Sequence, residues 1–168
     1  MPFMPSVATI ASMINGFVLD APKLNGHEHI QIDKPDNPPP QNQQWTVVSH
    51  KEVASVPEGY VIIYAGDESS KHLCINIPHS NTTDGTEVHL YRAQGPGGHP
   101  NQQWKLKPID GTEGYVYIES ALDKDLVLTV RGGNGAAGTK VEINKRGDKK
   151  PNQMWILNPV APPLPSSS

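Results

Sequence analysis

Asn42-Gln43-Gln44-Trp45, Asn101-Gln102-Gln103-Trp104 and Asn152-Gln153-Met154-Trp155 are one tetrad written three times. The chain has 168 residues and three tryptophans, and every tryptophan closes an Asn-Gln-x-Trp. The tryptophans stand about 50 to 60 residues apart. Self-similarity at such a period is the mark of a repeat architecture and outranks any local reading.

The sequence between the tetrads repeats as well. Each tetrad closes a unit of four short apolar-rich runs separated by turn residues. In the first unit these are Val7–Ile10, Phe17–Asp20, Ile30–Ile32 and Trp45–Val48. The second has Tyr60–Tyr64, Leu73–Ile77, Glu87–Tyr91 and Trp104–Lys107, and the third Tyr115–Ile118, Leu126–Val130, Lys140–Asn144 and Trp155–Asn158. Val88-His89-Leu90-Tyr91 and Val141-Glu142-Ile143-Asn144 alternate with period two, as half-buried strands do. Asn15-Gly16, Asn25-Gly26, Asp84-Gly85 and Asp110-Gly111 supply turns between runs. The expectation is an all-β chain of twelve strands without a convincing helix.

Composition agrees and narrows the function. Gly (15) and Pro (17) together make about a fifth of the chain, too many for a helix bundle and too few for disorder. A net charge of −3, with basic and acidic residues dispersed, offers no Lys/Arg stripe for a nucleic acid. No apolar run is long enough for membrane insertion. The lone Cys74 forbids an internal disulfide and a multi-cysteine zinc site. The start Met1–Ser12 shows no basic region followed by a long apolar one. A signal peptide is therefore not expected and the chain reads as cytoplasmic, with unconventional export left open. The sequon at Asn81-Thr82-Thr83 then reads as an unmodified turn.

Three equivalent four-stranded units, each closed by Gln-x-Trp, resemble the ricin B-type (R-type) lectin domain, a β-trefoil with pseudo-threefold symmetry. In size and scarcity of cysteine the chain is similar to small R-type lectins of fungi. The likeness implies one domain over residues 1–160, with repeats of about 7–48, 59–107 and 114–158, then a flexible Pro/Ser tail at 161–168. A tryptophan from each unit would fill a shared core. The Asn and Gln beside it would hold backbone groups or face a ligand.

The resemblance also implies a non-catalytic, carbohydrate-binding site in each unit, for galactose or N-acetylgalactosamine-type glycans. Its elements are an Asp ending the second strand, a polar residue and an aromatic on the third, and the Asn opening the tetrad. A carboxylate accepts charge-assisted bonds from two hydroxyls, and an aromatic face stacks on the sugar ring. In the first unit this set falls on Asp20, Gln31 and Asn42, with Gln43 able to buttress Asp20. Asp33 stands where the aromatic belongs. The loop Gly26–His29 reads as one residue longer than its counterparts, which offers His27 or His29 as the stacking face. The second unit has Tyr91 and Asn101, but Asn76 replaces the Asp and His89 the Gln, so the charge-assisted bond is lost. Thr129, Glu142 and Asn144 make the third site degenerate. The first unit ranks highest and the second next. Shallow sites bind weakly, so avidity needs two sites on the chain or a homodimer.

Other signals are weaker. Gly133–Gly138 matches G-x-G-x-x-G, but an alternating strand follows it where a dinucleotide site needs a helix. His27 and His29 lack a third metal ligand nearby, so neither a metal nor a cofactor is expected. Cys74, between Leu73 and Ile75, reads as a buried, inert thiol. No nucleophile–base constellation is present. Two rival readings use the same fold: a proteinase inhibitor presenting the Pro-rich loop Pro35–Pro40, and an accessory subunit that has lost sugar binding.

Overall fold

Short β-branched runs between Gly, Pro and Asn turns leave the backbone few options but hairpins. The computed structural model describes residues 6–66 and 72–161; residues 162–168 of the Pro/Ser tail lie outside them. The first unit contributes β1 (Ser6–Ser12), β2 (Val18–Asp20), β3 (Gln31–Asp33) and β4 (Trp45–Ser49). The second contributes β5 (Val61–Ala65), β6 (Leu73–Asn76), β7 (Thr86–Glu87), β8 (His89–Arg92) and β9 (Trp104–Pro108). The third contributes β10 (Val116–Ser120), β11 (Leu126–Val130), β12 (Val141–Lys145) and β13 (Trp155–Pro159). Thirteen strands replace the expected twelve because the third strand of the second unit splits at Val88. There the Val88 N–H donates to Val141 O (3.1 Å), across to the third unit.

The first and fourth strands of the units close a ring. β1 pairs with β4, β4 with β5, β5 with β9, β9 with β10, β10 with β13, and β13 with β1, every pair antiparallel. The second and third strands form three hairpins, β2–β3, β6–β8 and β11–β12. The hairpins interlock cyclically over one end of the barrel. The His27 N–H donates to Leu90 O (2.7 Å), the Gly85 N–H to Ile143 O (2.8 Å), and the Gly138 N–H to Ile32 O (2.8 Å). Each unit's turn thus leans on the third strand of the next unit. A six-stranded barrel capped by three hairpins about a pseudo-threefold axis is a β-trefoil.

The tetrads hold this cap to the barrel. Their first residues form single 3₁₀ turns at Gln41–Gln43, Pro100–Gln102 and Pro151–Gln153. Pro at the head of the last two suits a helix start, where its missing N–H costs nothing. The chain then extends, and the tryptophan opens the barrel strand. Trp45, Trp104 and Trp155 are completely buried in one core with Ile10, Leu19, Ile63, Ile118 and Leu128. Their indole N–H groups donate to Leu19 O, Ile75 O and Leu128 O, each at 3.1 Å. Cys74 packs with Val48, Val56 and Ile62 in a satellite cluster. Burial pushes its thiol up to about 12, which removes the reactive thiolate. The Gly133–Gly138 stretch runs as a loop from β11 to β12 with no helix after it.

Candidate functional site

Each unit places its candidate residues through one glutamine. Gln43 Nε2 donates to Asp20 Oδ2 (3.0 Å) and Lys34 O (3.0 Å), and its Oε1 accepts from the Asp36 N–H (2.9 Å). Gln102 repeats the pattern with Asn76 Oδ1 (3.2 Å), Arg92 O (2.9 Å) and the Gln94 N–H (2.9 Å). Gln153 does so with Thr129 Oγ1 (3.3 Å), Lys145 O (2.9 Å) and the Gly147 N–H (2.8 Å). All three glutamines are buried. Their constant task is to fasten the end of the second strand to the chain leaving the third. What differs between units is the residue being fastened.

In the first unit that residue is Asp20, 3% exposed, opposite Gln31 in the β2–β3 ladder. Its Oδ1 accepts from Asn42 Nδ2 at 3.0 Å, so Asp20, Asn42 and Gln43 come together. Burial raises the Asp20 pKa above the usual carboxylate value; the bonds from Gln43 and Asn42 lower it, and the nearby Asp33 and Asp36 charges raise it further. Asp33 lies opposite Val18, and its Oδ1 accepts from the Lys34 N–H (2.8 Å). A raised native pKa means that stability is full below the unfolded value and is lost as pH rises through the folded one. Asp20→Asn is therefore expected to raise the thermal midpoint at about pH 7 and leave it near wild type at about pH 4. Unchanged melting at both values would contradict this. Asn76 already makes the equivalent bonds in the second unit.

Of the two rings assigned to the first unit as a stacking face, His27 is carried to the second unit. Asp20 pairs with Gln31, Asn76 with His89 and Thr129 with Glu142, so 10, 12 and 12 residues intervene. The first hairpin loop is the shortest, not the longest, because the repeat is fixed by strand register rather than by where the turn residues begin. His27 lies in the turn before β3, and its ring meets Tyr91 of the second unit edge-on at 5.1 Å. The cyclic interlock carries it across. His29 turns to Glu28, Nδ1 to Oε1 at 3.1 Å.

The second unit gathers its whole set. Asn76, His89, Tyr91 and Asn101 line one cleft of about 280 Å³, joined by His27, His79 and His99. Asn101 Nδ2 donates to Asn76 Oδ1 and Ile77 O, both at 3.0 Å. Among the described residues, Asn76 Nδ2 and Asn101 Oδ1 keep no hydrogen-bond partner, leaving a donor and an acceptor at the cleft. Burial lowers the pKa of His89, against the raising effect of Glu87; His27, His29 and Lys140 lower it further. Pro78, His79, Ser80 and His99 carried no signal in the sequence pattern, since they lie outside the strands and the tetrad.

The third unit spends its polar groups on itself. Glu142 Oε1 accepts from Arg131 Nε at 2.5 Å and its Oε2 from Asn144 Nδ2 at 2.6 Å. Arg131 also reaches Glu87 at 2.8 Å. Thr129 Oγ1 donates to Val127 O (3.0 Å), and Asn152 Nδ2 to Val130 O (3.1 Å).

A trefoil whose units each offer a polar patch beneath a hairpin is the architecture of the lectin-domain class, and the family match assigns the chain to it. The family of ricin-type β-trefoil lectin domain-like proteins matches residues 41–144 and again 100–162, and the chain belongs to it. Flavastacin of Elizabethkingia meningoseptica is 39% identical over 93 residues, 55% of this chain and 18% of that protein, so the chain spans under a fifth of this relative's length. The designed threefold-symmetric protein ThreeFoil superposes with a TM-score of 0.76 at 21% identity, over 90% of this chain and 97% of its own. The C-half of an earthworm R-type lectin, solved in complex with GalNAc, gives 0.61 at 22% identity, over 92% and 99%.

Proposed function

We propose that this protein is a non-catalytic lectin for galactose or N-acetylgalactosamine-type glycans, with its principal site in the second unit and the Asp20–Asn42 pair as a secondary one. The observation that carries this reading is the cleft in which Asn76 and Asn101 hold an amide pair beside the exposed side of Tyr91. A donor and an acceptor from fixed amides suit vicinal hydroxyls, and the phenol ring suits the C–H face of a sugar. The GalNAc held by the earthworm lectin supports the sugar class. The first unit has the carboxylate, but its His27 ring packs on Tyr91 of the second unit, and we rank it second.

A glycan array, followed by titration calorimetry with a simple galactoside, tests the proposal. Tyr91→Ala is expected to weaken binding about tenfold, the upper range of an aromatic contact, in protein that circular dichroism shows to be folded. A silent array with folded wild-type protein would sink the lectin reading. Loss through Asp20→Ala alone, with Tyr91→Ala binding normally, would move the principal site to the first unit.

A further inference from the structure

Building on the lectin reading, we propose that the second-unit cleft selects glycans bearing an anionic group, a carboxylate or a sulfate ester, beside the galactose-type ring. Imidazoles lining the cleft bind that anion in their protonated form.

The first ground is the cleft's lining. His27, His79, His89 and His99 face it, four of the chain's seven histidines, and among the described residues no Asp, Glu, Lys or Arg lines it. The second is Asn76. It stands where the first unit has Asp20, so the one carboxylate that would repel an anionic ligand is replaced by a neutral amide. The Gln102 and Asn101 clamps are kept.

The third ground is the backbone beneath two of the imidazoles. At the turn that leans on the neighbouring unit, the second and third units use Gly85 (φ +89°) and Gly138 (φ +88°), while the first uses His27 at φ +69°. A side-chain carbon on Gly85 would lie 4.0 Å from Glu142 Oε2, and one on Gly138 3.9 Å from Gln31 Oε1. The position thus aims at the next unit's polar patch. Of the three units, the second alone receives a side chain there. His79 repeats the point: its φ is +55°, where the third unit has Gly132 at +62°. A left-handed backbone is nearly free for glycine and strained for histidine. Two imidazoles are kept at strained positions, and both rings reach the same cleft.

The surrounding charges leave the cleft open to an anion. Glu87, on β7, stands 4.0 Å from His89 Nε2, but its other oxygen is held by Arg131 at 2.8 Å. Glu28 is engaged by His29 beside β3. Lys140, ahead of β12, adds positive potential at His89. Tyr91 is the remaining titratable group on the wall.

The test measures binding of a neutral β-galactoside, its 3-O-sulfate and its sialylated form at about pH 5.5 and about pH 7.5, either side of the ordinary histidine range. At the lower pH both anionic ligands are expected to bind about tenfold tighter than the neutral one, as one charge-assisted contact gives. That advantage shrinks at the higher pH, while the neutral ligand's affinity stays flat. Asn76→Asp should reverse the preference, weakening the anionic ligands and strengthening the neutral one. His79→Gly should unfold at no lower temperature than wild type, since it relieves the left-handed strain, yet lose part of the anionic advantage. Equal binding of neutral and anionic galactosides at the lower pH overturns the inference and leaves the lectin reading standing. A gain for only one anionic form identifies carboxylate or sulfate as the group bound. Failure of all three ligands to bind overturns the inference together with the reading beneath it.

Discussion

Trp104→Ala is expected to lower the stability of the trefoil by about 3–5 kcal/mol, the usual cost of truncating a fully buried tryptophan. The ring has no exposed surface. Its removal leaves a cavity where the second unit meets the shared core, and it strips Ile75 O of its indole donor. For a chain of this size that corresponds to a fall of roughly 6–20 °C in thermal midpoint, out of a total stability of about 5–15 kcal/mol. Trp104→Phe keeps most of the apolar area and loses the hydrogen bond, so its cost should be well under half as large. Trp45→Ala and Trp155→Ala should match Trp104→Ala to within about 1 kcal/mol, because all three rings are equally buried and donate at equal distances to equivalent carbonyls. Urea unfolding followed by circular dichroism reads each value. A Trp104→Ala protein within about 1 kcal/mol of wild type would refute the core role of the tetrad.

The fold was legible because the tetrad carries two devices in one word. The tryptophan fills the barrel, and the glutamine two residues earlier ties a hairpin to it, so both must recur whenever the unit recurs. Strand positions followed from alternation, except at Val88, where a bond to another unit breaks the run. The candidate cleft was legible only in part. Asn76, His89, Tyr91 and Asn101 fall on repeat positions and could be found by aligning units. His27 was legible as a stacking candidate but in the wrong unit, because the cyclic interlock of the hairpins carries it to the neighbouring one, a contact between residues far apart in the chain. Arg131 was hidden for the same reason. It joins Glu142 of its own unit to Glu87 of another, and neither pairing leaves a local pattern. Internal symmetry can nevertheless recover such residues: His27 and His79 stand out as soon as they are set beside Gly138 and Gly132.

Gln43→Leu should cost roughly 2–4 kcal/mol, since it removes a buried amide that serves a carboxylate, a carbonyl and an N–H at once. Leucine fills a similar volume, so the loss is one of hydrogen bonding rather than packing. Its dependence on pH separates this unit from the next. Without the Gln43 donor the Asp20 carboxylate loses a bond that favours its ionised form, and its already raised pKa moves further up. A raised folded pKa gives a penalty that is absent where Asp20 is protonated and grows as pH climbs through that value. The deficit of Gln43→Leu should therefore be larger at about pH 7 than at about pH 4. Gln102→Leu is the control: it unfastens Asn76, which does not titrate, from an equivalent clamp. Its deficit should be of the same order and show little change between those two values. Equal pH profiles for the two variants would mean that Asp20 is not held as a charge by Gln43. The site chemistry would then be set by Asn42 alone. Divergent profiles would instead tie a glutamine common to all three units to a position, Asp20, Asn76 or Thr129, at which those units differ in charge.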